Sequence, residues 1–114
     1  CVLEGHTEAV FVSTRKPADV ASVIKAMREY DGGLAGLPSA PAHLIHVSED
    51  PFRPQPRLDR DNEGGMATTV GRVRQDTALP NGIKYVLVSH NTKMGAARGA
   101  VLEAEMLIHD GYIG

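Results

Sequence analysis

Several features that would define a functional class are scarce in this sequence of 114 residues. Cysteine occurs once, which excludes an internal disulfide and a local cluster of thiolate metal ligands and favours a reducing, cytoplasmic compartment. Aromatic residues make up only 4%, so platforms for base stacking are few. The net charge of -2 provides no basic surplus for phosphates. We therefore expect no nucleic-acid partner.

Long apolar runs and glycine-rich phosphate loops are also missing. No apolar run approaches the roughly 20 residues that a membrane-spanning helix needs, so no membrane partner is expected. Neither G-x-G-x-x-G nor G-x-x-x-x-G-K-[ST] is present. The hydrophobic and charged fractions, 42% and 23%, suit one globular domain over residues 1–114. Because the chain lacks an initial methionine and leads directly into a strand, we expect it to begin inside a longer protein.

Hydrophobic patterning predicts strands and helices in alternation. Val20, Val23, Ile24, Met27 and Tyr30 follow helical spacing, and Lys16–Asp19 would begin this helix. A second helix is expected over residues 91–108, capped by Asn91 or Thr92 and stopped by Gly111. Strands are expected at residues 9–13, 43–47, 66–74 and 83–88, and residues 53–57 should be extended. This order predicts an α+β domain, a mixed and mostly antiparallel sheet with helices on one face.

Three segments carry chemical content. His6 follows Gly5 at the mouth of a strand, where an imidazole can give and take a proton near neutral pH. Alternatively, it is an ordinary surface or packed histidine. Residues 90–99 form a polar turn and a helix start with Gly95, Ala96 and Gly99. Free N–H groups there favour negative charge, although two glycines four residues apart also suit close packing.

The third segment is the part of the proline-rich loop from Pro54 to Asp61, where arginines and aspartates alternate, with Gly71-Arg72-Val73-Arg74 beyond it. Arginines close to aspartates suggest ion pairs or bidentate contacts. A long loop of this kind is usually functional or lies against a partner. A solvated, salt-bridged loop and a subunit contact are the two interpretations.

Together these segments resemble the archaeal and fungal branch of the aspartate-semialdehyde dehydrogenase family. Gly5-His6-Thr7-Glu8 is similar to its Gly-His-Ser/Thr block, and His90-Asn91-Thr92 with Gly95-Ala96-Ala97 to its last helix start. The remaining matches are Pro38-Ser39-Ala40-Pro41, Pro54-Gln55-Pro56-Arg57-Leu58-Asp59, Val70-Gly71-Arg72-Val73-Arg74 and the segment from Glu103 to Ile113. The resemblance spans the whole chain and implies the C-terminal catalytic and dimerisation domain of an enzyme of the glyceraldehyde-3-phosphate dehydrogenase type.

The resemblance implies an NADP-dependent enzyme that interconverts aspartyl phosphate and aspartate semialdehyde through a cysteine thioester. His6 would be its catalytic acid/base, and Asn91, Gly95 and Ala96 would contact the cofactor. No metal is implied, and a homodimer or tetramer is expected. In the family the nucleophilic cysteine lies well upstream of the histidine, so Cys1 is not that residue. The substrate arginine would fall ahead of Cys1, and the dinucleotide-binding part is absent, so the chain alone should be inactive.

One departure from the family pattern leaves the substrate open. Lys93-Met94-Gly95 stands where the family commonly has an arginine before the glycine. Malonyl-CoA reductase shares the scaffold, so this reductase, or another acyl reductase, is the first alternative. A non-catalytic dimerisation domain is the second.

Overall fold

Four strands form one mixed sheet in the computed structural model, which describes residues 2–114. They are β1 (His6–Ser13), β2 (Ile45–Ser48), β3 (Thr68–Asp76) and β4 (Gly82–Ser89). Their order in the sheet is β1-β4-β3-β2. The β1–β4 and β4–β3 pairs are antiparallel, and the β2–β3 pair is parallel. The predicted α+β class and the mixed, mostly antiparallel sheet are confirmed. Cys1, which the family resemblance excluded as the nucleophile, lies outside the described residues.

The helical elements are α1 (Val20–Glu29), α2 (Pro56–Asp59) and α3 (Arg98–His109). Helix α1 packs against β2 and β3, and its apolar side meets Ile45. The short α2 covers the opposite face of the sheet. Thr68 pairs with Ile45, so the next residue, Thr69, points to the other face, where its hydroxyl donates to the Asp59 carbonyl. The sequence did not indicate α2. The expectation that residues 53–57 are all extended is wrong from Pro56 onward.

The start of α1 lies slightly later than the pattern predicted. Asp19 is extended, with φ -82° and ψ 157°, and its carboxylate accepts the Ser22 N–H at 2.9 Å. It is therefore the N-cap, and Lys16 to Ala18 precede the helix instead of forming its first turn. Hydrogen bonding to Ser22 lowers the pKa of this exposed carboxyl group.

The last helix is not continuous from Asn91, as the sequence predicted. Lys93–Ala97 forms a wider π-type turn, and α3 follows it. Gly95 N–H donates to the His90 carbonyl and Ala97 N–H to the Thr92 carbonyl, each five residues back. Neither Asn91 nor Thr92 caps this turn with its side chain, so the predicted cap is wrong. Gly111, with φ +77°, ends α3 as expected.

Two apolar groups hold these elements together. The sheet buries Val70, Ile83 and Val88 almost completely. A second cluster joins the loop before β2 to α3 through Leu37, Met66 and Leu102. Burial of each such side chain contributes about 1.5–3 kcal/mol. The second cluster therefore fixes α3, and the turn that leads into it, at one end of the sheet.

Candidate functional site

Two distant segments meet at that end of the sheet. Gly5 N–H donates to Asn91 Oδ1 at 2.8 Å, a contact between residues 86 apart in sequence. His6, the next residue, pairs with Ser89 at the end of β4. His6 and Asn91, which the resemblance assigned to catalysis and to the cofactor, thus stand beside each other. This is a property of the strand pairing, which sets the start of β1 against the end of β4.

Gly5 needs both its conformation and its lack of a side chain. Its φ of +106° is rarely adopted by other residues, and a Cβ there would lie 3.2 Å from Pro56 Cβ. It would also lie 3.4 Å from Arg60 Cβ. The glycine therefore lets the α2 turn pack directly beneath the residue that precedes His6.

The imidazole of His6 is open to groups from outside the chain. The residue is exposed and lies in a shallow cleft of about 450 Å³ with Val2, Thr7 and Glu8. Among residues 2–114, no side chain or backbone group is hydrogen-bonded to its ring. Both ring nitrogens can therefore exchange a proton with a bound molecule or with another domain.

Asn91 has one half of its amide engaged and the other available. Its oxygen is held by Gly5, whereas its Nδ2 has no partner among the described residues 2–114. An amide N–H₂ donates to carbonyl oxygens, including the oxygen of another carboxamide. The side chain can therefore hold the histidine segment and contact a ligand simultaneously.

Gly95 and Ala96 lie on the turn that follows Asn91, but they face a different depression. Both are exposed and line a groove of about 610 Å³ with Leu34 and Met106, which His6 and Asn91 do not line. A Cβ on Gly95 would approach only the His90 carbonyl, at 3.4 Å. Packing within the chain therefore does not require glycine here.

Gly99 differs from Gly95 in this respect. A Cβ at Gly99 would collide with the Met94 carbonyl, because the wide turn brings that oxygen against the helix start. Gly99 is thus required by its own preceding turn, and packing of helix on sheet through the two glycines stays a prediction. Gly95 leaves its surface open to an outside group.

His90 is a site residue that the sequence analysis missed. It is 5% exposed, and its Nδ1 accepts the N–H groups of Thr92 and Lys93, both at 3.3 Å. Its Nε2 lies 3.7 Å from Asp61 Oδ1. A polar residue at the last position before a helix turn was the available signal, but cap preferences pointed to Asn91 and Thr92 instead.

Asp61 forms ion pairs with two cationic side chains beside this turn. Its carboxylate accepts from Lys93 Nζ at 2.8 Å and from Arg60 Nε at 3.3 Å. The Lys93 hydrogen bond lowers the pKa of Asp61, partial desolvation opposes that effect, and Arg60 adds to the lowering. The carboxylate is half exposed, so its attraction for Lys93 is moderated by solvent.

The proline-rich loop is anchored by a buried ion pair. Asp59 is 1% exposed, and Arg53 donates to both of its oxygens, with Nε to Oδ2 at 2.8 Å. Gln55 N–H donates to the same carboxylate at 2.6 Å. Burial alone would raise the pKa of Asp59, but these hydrogen bonds and the charge of Arg53 outweigh it, so the pKa is lowered. The carboxylate therefore braces the loop from within, and the loop is not simply solvated.

Residues 2–114 contain neither a metal-binding cluster nor a membrane-spanning helix. No three His, Cys, Asp or Glu side chains in that range are grouped so that they could hold a metal ion. Within the same range, no helix has both the length and the apolar character for crossing a membrane.

The chain is an α+β domain with an exposed histidine at a strand start and a polar turn beside it. Residues 1–94 match the model of the semialdehyde dehydrogenase dimerisation domain, and the chain belongs to this family. The family resemblance inferred from the motifs is confirmed.

Individual relatives and solved structures support the same family membership. The aspartate-semialdehyde dehydrogenase of Methanothermobacter thermautotrophicus is 48% identical over 108 residues, which cover 93% of this chain and 31% of the relative. That of Saccharomyces cerevisiae is 44% identical over 111 residues, 94% of this chain and 30% of the relative. The Candida albicans enzyme with NADP superposes with a TM-score of 0.80 at 42% identity, covering 98% of this chain and 32% of that structure.

A bacterial structure extends the comparison. The aspartate-semialdehyde dehydrogenase II of Vibrio cholerae, complexed with ASA, has a TM-score of 0.74 at 34% identity. The match covers 96% of this chain and 29% of that structure. The chain thus spans about a third of the length of the relatives it matches.

Proposed function

We propose that this chain is the C-terminal catalytic and dimerisation part of an NADP-dependent aspartate-semialdehyde dehydrogenase. The intact protein would interconvert aspartyl phosphate and aspartate semialdehyde through a thioester on a cysteine. Family membership supports the class of reaction, and the hydrogen bond between Gly5 N–H and Asn91 Oδ1 supports the placement of the site. That bond sets a free imidazole beside a free amide donor at one end of the sheet.

In this proposal His6 is the acid/base. A thiol becomes a strong nucleophile only when its proton is removed, and the oxygen of the tetrahedral adduct is stabilised by a nearby donor. An exposed imidazole with both nitrogens available can serve these needs in turn. The hydrogen bond from Gly5 N–H to Asn91 Oδ1 restrains the backbone that carries the ring.

Asn91, Gly95 and Ala96 fit an NADP cofactor, which supplies or accepts the hydride when it is bound. The free Nδ2 of Asn91 can donate to the nicotinamide carboxamide oxygen. The surface above Gly95 is open, so the cofactor can lie close to the backbone there. Packing within the chain does not require a glycine at this position. The fungal structure with NADP agrees with this choice of cofactor.

The other two thirds of the enzyme would carry the remaining machinery. These parts are the nucleophilic cysteine, the arginine that binds the substrate carboxylate and the dinucleotide-binding domain. The chain by itself would then be inactive. A cytoplasmic location completes the proposal, since a catalytic thiol needs a reducing compartment.

Self-association through this domain, as a homodimer or tetramer, is part of the same proposal. The family is described as a dimerisation domain, and β1 is an edge strand with no neighbour on its outer side among residues 2–114. Phe11 in this strand is 59% exposed. An unpaired edge with exposed apolar side chains is a surface that proteins usually cover.

The activity is tested with the intact protein that contains this chain. We expect oxidation of aspartate semialdehyde in the presence of NADP and phosphate, followed by NADPH absorbance. No reduction of malonyl-CoA by NADPH is expected. Turnover of malonyl-CoA alone would overturn the substrate assignment. Inactivity with both compounds would overturn the proposed activity and favour another acyl reductase or a non-catalytic dimerisation domain.

The association is tested by substitution in the edge strand. Phe11→Lys should shift the intact protein toward the monomer in sedimentation velocity, with an apparent dissociation constant raised about tenfold or more. Tyr30→Lys is the matched control, because Tyr30 is 57% exposed but lies at the end of α1, the helix that packs on β2 and β3. An unchanged oligomer in the Phe11 variant would exclude β1 from the interface.

A further inference from the structure

His90 is a buried titratable side chain that the proposed chemistry does not use. It directly precedes Asn91, yet it is 5% exposed, whereas His6 is open to solvent. A buried imidazole without a partner would be costly, so its hydrogen bonds indicate its role.

Its bonds define one tautomer of the ring. The N–H groups of Thr92 and Lys93 both point at Nδ1, at 3.3 Å each. Nδ1 must therefore carry its lone pair, and the proton of the neutral ring sits on Nε2, the nitrogen that faces Asp61 Oδ1 at 3.7 Å. In this state the ring serves as the acceptor cap of the turn over residues 93–97.

The cap has a consequence for Asn91. Turns that begin helical segments usually take their cap from an asparagine or threonine oxygen at this point of the chain. Here the Asn91 oxygen is engaged by Gly5, and Thr92 makes no capping bond. Because His90 satisfies the free backbone N–H groups, the Asn91 side chain is released to hold the segment that carries His6.

Surrounding residues fix the plane of the ring. Gly65 is buried with φ +86°, and a Cβ there would lie 3.0 Å from His90 Cδ2. The His90 carbonyl also accepts the Gly95 N–H at 2.9 Å. The ring is thus confined by the Gly65 turn on one side and by its own turn on the other.

We propose that His90 is a positioning residue, which caps the turn through Nδ1 and thereby sets Asn91, and through Asn91 the His6 segment. Its link to catalysis rests on the proposed function, but its capping role does not. The ring does not touch substrate or cofactor in this assignment.

Two substitutions separate the cap from mere bulk. In His90→Asn the acceptor oxygen is attached to Cγ, as Nδ1 is, so it can take the same two N–H groups. In His90→Gln the side chain has comparable bulk, but its oxygen is one bond further out, toward Asp61. It cannot take the place of Nδ1 as the acceptor of the two N–H groups. In the intact protein we expect kcat within about threefold of the parent for asparagine and a loss of about tenfold or more for glutamine, because displacement of a catalytic group by about 1 Å is costly. The KM for aspartate semialdehyde should change less than about twofold in both variants, because neither replaces a group that contacts the substrate.

Hydrogen–deuterium exchange supplies a readout that does not depend on activity. Peptides over residues 91–97 should exchange about tenfold faster in the glutamine variant and remain protected in the asparagine variant, as expected for loss of one cap of ordinary strength. His109→Asn, at an exposed histidine, should change neither readout.

Each result decides between the alternatives. Equal protection of the turn in both His90 variants would overturn the capping role, whatever the enzyme's substrate proves to be. Lost protection with unchanged kcat would overturn the link to His6. If the intact protein has no dehydrogenase activity, the proposed function fails, and the exchange experiment still tests the cap.

Discussion

The two ends of the β1–β4 ladder use polar side chains in opposite ways. At the end that pairs Ser13 with Gly82, the Ser13 and Asn81 side chains form hydrogen bonds within the chain. The Ser13 hydroxyl donates to the Pro80 carbonyl, and Asn81 Nδ2 donates to the Thr14 carbonyl at 3.3 Å. That end is a closed turn with few donors left for a ligand.

The end that pairs His6 with Ser89 keeps its donors available. The His6 ring and the Asn91 Nδ2 have no partners among residues 2–114, although the segments that carry them are held by Gly5 and His90. Backbone and buried groups at this end restrain the two segments, while the His6 ring and the Asn91 Nδ2 remain available to a ligand.

The largest expected effect is at His6. His6→Ala in the intact protein should lower kcat by about 10²–10⁴-fold, the usual contribution of a general acid/base. The unfolding free energy should change by less than about 0.5 kcal/mol, because the side chain is exposed. Steady-state kinetics and urea denaturation measure the two quantities. His109→Ala is the control. Full activity in the His6 variant would contradict the proposed acid/base role of this histidine.

Asp59 lies in α2, which packs against Gly5, and we expect its replacement to affect stability more than activity. Asp59→Asn leaves the Arg53 guanidinium without its carboxylate, and we expect a loss of about 3 kcal/mol in urea denaturation of the intact protein. The turn of α2 lies against Gly5, so kcat should fall as well. Asp76→Asn at the opposite end removes the pair with Lys84 and should lower stability less, with kcat unchanged.

The acid dependence of the same variant has a defined sign. Folding lowers the pKa of Asp59 below its ordinary value of 3.8, so its contribution to stability is fully present above that pH. It is lost as the pH falls through the lower pKa of the folded state. The stability gap between the parent and Asp59→Asn should therefore be constant from neutral pH to about pH 5 and shrink below about pH 4. A gap that widens in acid would contradict this assignment.

A pair of substitutions at Asn91 separates its two bonds. Asn91→Asp keeps an oxygen for Gly5 N–H but removes the amide donor, so the KM for NADP should rise about tenfold while kcat falls less. Asn91→Leu removes both and should lower kcat about tenfold further, because the His6 segment loses its restraint. Identical kinetics in the two variants would show that the Gly5 bond has no part in positioning.

The smallest expected effects concern the two glycines after this turn. Gly95→Ala meets only the His90 carbonyl at 3.4 Å, so the melting temperature should stay within about 2 °C while the KM for NADP rises a few-fold. Gly99→Ala collides with the Met94 carbonyl and should lower the melting temperature by several degrees. Thermal denaturation and cofactor titration distinguish them. A destabilised Gly95 variant with normal cofactor binding would remove Gly95 from the cofactor surface.

Short-range sequence patterns specify the local elements. The spacing of Val20, Val23 and Ile24 specified α1, and β-branched content specified β3 and β4 to within two residues. The α+β class followed from their order, and the motifs around His6 and Asn91 marked the segments of the site. These features depend on residues close together in the chain, where periodicity and turn preference act directly.

The folded arrangement of the chain sets which of these segments meet and which side chain caps the last turn. The Gly5–Asn91 bond joins residues 86 apart, the Arg53–Asp59 pair depends on a helical turn that proline spacing concealed, and the cap comes from His90 instead of its neighbours. Sequence preference ranks the groups that could cap a turn or form an ion pair. The choice among them depends on burial and on which oxygens other segments have already engaged, and these are fixed only when the strands pair.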